Sequence, residues 1–260
     1  METTPEALQK MVKRLRAVAD PKLHHAVVDR FLDASSAGEV VEAIRLLMAD
    51  VDRPGFRAAY QAVVSFFVLR GGLRYRRTEE LYRAAFSAGY APVKFLLLRA
   101  PPVKTARDDE VLPDPELLEV PLGIRKTMAR GNERDMLLRL IRDPSVPVVQ
   151  IILQNPKVLE SDVVRLAARR PNTVPVLESV AKHSRWNSRY EVLRALVQNP
   201  YTPTSLAVSL VPFMVGKHLR EVAQDNRLHS GLRASALDIS SWREMRRRGA
   251  IPTEKVGTRH

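Results

Sequence analysis

Residues Val148 to Leu166 read VVQIILQNPKVLESDVVRL, and residues Val192 to Leu210 read VLRALVQNPYTPTSLAVSL. In each, an apolar run of helical pattern stops at Gln-Asn-Pro and a second such run follows. A shift of 44 residues superposes Asn155 on Asn199 and Pro156 on Pro200. A period in that range marks stacked helical pairs, because one pair cannot bury its apolar face until a neighbour covers it. Proline biases the residue before it away from helical dihedrals, so the first helix of each segment must stop there. The Asn side chain can then bond backbone groups left open at the turn, which makes both asparagines structural rather than functional.

Outward from this pair the chain reads as a train of helices. Leu177-Glu-Ser-Val-Ala-Lys matches Leu219-Arg-Glu-Val-Ala-Gln at a shift of 42, and Thr202-Pro203 supplies a cap and a first-turn proline. Thr4-Pro5 and Asp20-Pro21 give similar starts in the first hundred residues. There Leu8, Met11, Val12 and Leu15, then Val40, Val41, Ile44, Leu47 and Met48, recur at helical spacing. A longer run from Phe56 through Phe67 ends at Gly71-Gly72. No segment alternates with period two, so the fold class is all-α.

Residues 101–120 break the pattern. They hold four prolines with Ala100 before them and the acidic run Asp108, Asp109, Glu110, a composition that resists both helix and core. The expected organisation is an N-terminal helical bundle at 1–100, an acidic Pro-rich linker at 101–120, a right-handed stack of helical repeats at 121–242 and a basic tail at 243–260. An alternative for 101–120 is an acidic strap lying along the basic repeats.

The segments ILQNP and LVQNP, with the LAARRP that closes the first unit, resemble the HEAT-like and leucine-rich-variant bacterial helical repeats over about Met136 to Ile239. The spacing of 42 to 44 residues suits the HEAT-type pair better than the shorter leucine-rich-variant unit. Some proteins of that group carry a cysteine-ligated cluster, and this chain has no cysteine. The resemblance implies an α-solenoid acting as an interaction scaffold, and it names no ligand.

Charge points to the kind of partner. The 260 residues carry +13, divided as +5 over 1–100, −4 over 101–120 and +12 over 121–260. Such an excess raises encounter rates with nucleic acid, acidic protein surfaces or anionic lipid heads, or serves solubility alone. The absence of cysteine excludes disulfides and thiol catalysis, and the opening METTPEALQK lacks the order of a secretory signal, so a cytoplasmic protein is expected. No histidine spacing suits a metal, no phosphate-cradling loop occurs, and no cofactor is expected.

The basic clusters remain as candidate partner-binding residues. Arg125, Lys126 and Arg130 recur at helical spacing; Arg165, Arg169 and Arg170 close one helix; Arg185 and Arg189 flank Trp186 and Tyr190; Arg246, Arg247 and Arg248 form a tail run. A further loop sets Arg74, Arg76 and Arg77 around Tyr75. Arginine interleaved with aromatics can bind phosphates while stacking on bases, although each cluster also reads as a solvated face, and Trp186 and Tyr190 as contacts between repeats. The expected function is non-enzymatic binding of an acidic protein or nucleic acid on the repeat surface. The alternative is a HEAT-like DNA glycosylase with Trp186, Tyr190 and Asp162 in the groove, which would require open aromatics beside a carboxylate.

Overall fold

The computed structural model describes residues 5–18, 20–69, 73–98 and 100–248, and these are all-helical with no strand among them. The helices are α1 (Glu6–Ala17), α2 (Pro21–Ala34), α3 (Ala37–Ala49), α4 (Phe56–Val64), α5 (Tyr75–Ser87), α6 (Ala91–Leu97), α7 (Leu122–Met128), α8 (Arg134–Leu140), α9 (Val146–Gln154), α10 (Glu160–Ala168), α11 (Val174–Lys182), α12 (Tyr190–Val197), α13 (Thr204–Leu210), α14 (Gly216–Gln224) and α15 (Ser230–Arg247). They fall into two compact units. The first comprises Met1–Arg99, Val215–Gln224 and Ser230–His260, and the second Ala100–Met214 with Asp225–His229.

In the first unit the periodic positions of the sequence form the core. Leu8, Met11, Val12 and Leu15 of α1 are buried, as are Ile44, Leu47 and Met48 of α3 and Tyr60 of α4. Ser36 begins α3 with a capping box: its hydroxyl accepts from the Glu39 amide, and Glu39 accepts from the Ser36 amide at 2.8 Å. The run from Phe56 continues past α4 as a π-helical turn, Ser65–Leu69, and the stop expected at Gly71-Gly72 lies outside the described residues. Helix α15 packs against α14, α6 and α3. Gly231 of α15 lies so near the Phe95 ring of α6 that a Cβ there would stand 2.4 Å from ring carbons. At the other end of α15, Arg45 lies 5.5 Å from the Tyr90 ring centre and 5.8 Å from that of Trp242, with its guanidinium on Glu42.

Helices α14 and α15 therefore belong with the first hundred residues, whereas the sequence placed 121–242 in a single block. The resemblance of 219–224 to 177–182 is a shared amphipathic pattern, with Leu and Val three apart buried in both. Such a pattern says that a face is covered but not by what.

In the second unit α7 packs against α9, α9 against α11, α10 against α12 and α12 against α13. Ile152 and Leu196, placed in equivalent positions by the sequence, are both fully buried. A second spacing, of 28 residues, also runs through these helices. Pro147, Pro175 and Pro203 stand 28 residues apart at the starts of α9, α11 and α13. Val149, Leu177 and Ser205 are buried at that spacing, and so are Ile152, Val180 and Val208. Helix α8 contacts α9, α10 contacts α11 and α12 contacts α13, and a 44-residue shift lays α9 on α12.

Candidate partner-binding edge of the second unit

Every helix in this unit must end within a few residues, and its last carbonyls need donors. Asn155, after α9, donates through Nδ2 to the carbonyls of Ala129 (2.9 Å) and Gly131 (2.8 Å), beyond α7. Asn199, after α12, does the same to Ala167 (2.7 Å) and Arg169 (3.0 Å), at the end of α10. Each Oδ1 accepts the amide two residues on, from Lys157 and Tyr201. Asn172 and Thr202 in turn donate to the carbonyls of Leu166 and Leu196, six residues before each. An Asn-Pro stop thus joins successive helices in both series, α7 to α9 and α10 to α12. That shared chemistry made segments from different series look like one repeat.

The arginine clusters serve the same ladder. Arg169 donates to the Arg142 carbonyl past α8, and Arg170 to the Gln198 carbonyl past α12. Arg185 donates to the carbonyls of Asn155 (3.0 Å) and Val158 (3.1 Å) while its guanidinium lies 4.3 Å from the Trp186 ring centre. Trp186 itself is buried and donates Nε1 to the Leu153 carbonyl at 2.8 Å. Arg125 reaches the buried Asp143 carboxylate at 2.5 Å, and Arg130 folds back onto the Lys126 carbonyl. Arg189 lies 3.9 Å from Glu160. Lys126 and Tyr190 are half-buried, and Arg165 is exposed near Asp162. Arg246 belongs to the first unit and pairs with Asp50; Arg248 is exposed there, and the Arg247 side chain lies outside the described residues.

Asp162 is fully engaged as well. Arg134 grips it with two bonds of 2.5 and 2.7 Å, and its Oδ2 accepts the Leu159 amide. Burial pushes this carboxyl up, but the Arg134 bonds, the Leu159 amide and the charges of Arg134 and Arg165 outweigh it and hold it below the ordinary aspartate range. Of the residues cast in the glycosylase alternative, Asp162 is thus engaged by Arg134 and the Leu159 amide, Trp186 is buried and Tyr190 is half-buried. Burial, reinforced by the Arg185 charge, lowers His183 from its ordinary value. Among the described residues no group of three or more His, Asp or Glu side chains is placed to hold a metal ion.

One segment does present ligand-like chemistry. Residues 101–117 run across the unit against the order of its pairs. Thr204, opening α13, donates to the Pro101 carbonyl at 2.9 Å, and the Lys104 amide donates to the Pro200 carbonyl at 3.1 Å. Arg169, after α10, donates to the Leu112 carbonyl at 2.9 Å. Arg139 of α8 then pairs with Glu116 and lies 3.7 Å from Asp114. Val111, between the Lys104 and Leu112 links, and Leu117, just past Glu116, are both buried. The prolines and the short turns Asp108–Glu110 and Pro115–Leu117 keep the segment from becoming a longer helix. It is the strap weighed as an alternative to a linker, and Arg139, absent from the basic clusters of the sequence, is the residue that meets its carboxylates.

The division of charge follows. The first unit holds 25 Lys/Arg and 15 Asp/Glu, a formal +10, and the second 17 and 14, a formal +3. The fall from the +12 read over 121–260 has two sources: residues 215–224 and 230–260, a net +5, belong to the first unit, and the strap brings −4 to the second. Comparison with protein-family models, curated proteins and solved structures returned no match to this chain. Among the described residues no helix is long and apolar enough to cross a membrane.

Proposed function

We propose that this protein is a non-enzymatic scaffold, with a HEAT-like α-solenoid in its second unit, that binds an acidic macromolecule along the edge where α8, α10 and α12 end. The observation that supports this reading is the strap: an extended acidic segment already lies on that edge, met by Arg139 and Arg169. The solenoid reading draws on the 28-residue pairing and the carbonyl ladder, which repeat one contact scheme from pair to pair. Protein is favoured over nucleic acid as the partner. Stacking on bases needs open aromatic faces, and Trp186 is buried while Arg185 is held on backbone carbonyls.

The test is capture from lysate with and without nuclease, comparing wild type with Arg139→Glu. Retention of acidic protein after nuclease treatment, lost in the variant, is the expected result. Equal capture by the folded variant, or loss of all captured material to nuclease, would overturn the assignment of this edge to a protein partner.

A further inference from the structure

We infer that the strap is a resident pseudo-ligand, and that the edge it covers takes an extended acidic protein segment bearing the same pattern as Val111-Leu-Pro-Asp114-Pro-Glu116-Leu117. This rests on the scaffold reading and sharpens it, by naming what the partner must carry: two aliphatic side chains six residues apart, flanking carboxylates two apart. The pattern is read from contacts. Val111 and Leu117 are each 2 % exposed, Asp114 and Glu116 both face Arg139, and Arg169 takes the main-chain carbonyl of Leu112. A carbonyl contact is indifferent to sequence, so selection falls on the two anchors and the two charges.

The same contacts make the strap displaceable. Its amide and carbonyl links to the rest of the unit are spaced out along the segment, at Pro101, Lys104 and Leu112, rather than continuous as in a sheet or helix. Asp114 spends one oxygen locally, accepting the Glu116 amide at 3.2 Å, so its contact with Arg139 is a long one. Arg139 is about one third exposed, which leaves the ion pairs open to solvent and to a competing carboxylate. Being tethered, the strap holds the edge at high effective concentration, so a free segment wins only when it binds better or when the strap is weakened. The edge thus has an occupied ground state, and occupancy by a partner requires strap release.

The experiment uses the full chain and a fluorescein-labelled peptide of residues 107–119. In Asp114→Ala/Glu116→Ala the strap is weakened without new charge beside Arg139, and peptide affinity measured by anisotropy should exceed that of wild type by about tenfold or more. Arg139→Glu added to that variant should abolish binding. In wild type, excess peptide should raise amide hydrogen exchange at Lys104, whose amide donates to the Pro200 carbonyl, which reports displacement without any variant. If the strap amides exchange freely in the double-alanine variant and the peptide still does not bind, or if they stay protected in all cases, the inference is overturned. An oligonucleotide of equal charge that competes as well as the peptide would also overturn it. Arg139-dependent capture of an acidic protein that ignores this peptide would sink the pattern alone and leave the scaffold reading standing.

Discussion

At Asn155 one side-chain amide satisfies two carbonyls in the turn beyond α7 and one amide of its own turn, so its removal costs more than a single hydrogen bond. Asn155→Ala leaves buried acceptors without donors, and about 2–3 kcal/mol of stability should be lost by urea denaturation. Asn155→Asp should be no better, since a carboxylate cannot donate to Ala129 and Gly131; a well-tolerated aspartate would disprove the donor role. Arg134 makes a second case. In wild type the Asp162 carboxyl is held low, so its contribution to stability is present above the ordinary aspartate value and fades as pH falls through the lower folded value. In Arg134→Gln the Arg134 bonds and charge are lost, burial is opposed only by the Leu159 amide and the Arg165 charge, and the folded value rises. Protonation then begins at a higher pH in the variant than in wild type. Arg134 is more than one third exposed, so water offsets part of the loss, and about 2 kcal/mol is expected at pH 7. The gap between variant and wild type should shrink when measured at pH 4, and a gap that widens would contradict the sign.

At the scale of the element, α15 is placed by the absence of a side chain. Gly231 lets the Phe95 ring of α6 lie where a Cβ would be, so Gly231→Ala should destabilise the first unit by about 1–3 kcal/mol despite alanine's better helix propensity. Phe95→Leu in the same chain should recover part of that loss, and a purely additive double mutant would exclude the contact as the cause. Nothing in the local sequence flags Gly231, whereas the cap at Ser36, the proline starts of α9, α11 and α13 and the buried positions of α1 and α3 are all written in short-range spacing. The Asn-Pro stops were legible for the same reason, but their phase was not. Both helix series need a stop and a donor for exposed carbonyls, so the motif recurs without marking the repeat. The arginines were the least legible, because a guanidinium on a backbone carbonyl and one facing water leave the same letter in the sequence.

At the scale of the molecule, the chain enters the first unit, leaves it for the second and returns, so the core of the first unit is closed by residues far along the sequence. Removing residues 230–260 strips Leu232, Ala236, Ile239 and Trp242, all buried, from the faces of α6, α14 and α3. Burying a large aliphatic or aromatic side chain contributes about 1.5–3 kcal/mol, so losing Leu232, Ile239 and Trp242 removes an amount comparable to the whole stability of a typical domain. The two tryptophans separate the outcomes, because Trp242 lies in the first unit and Trp186 in the second. In the truncated chain Trp186 is the only tryptophan, and its emission should stay that of a buried indole. Amides of α3 and α6, in contrast, should lose their protection from hydrogen exchange. Protected amides in α3 and α6 would mean that α15 is not part of that core. A red shift of Trp186 would mean that the second unit does not hold its own fold once the first has opened.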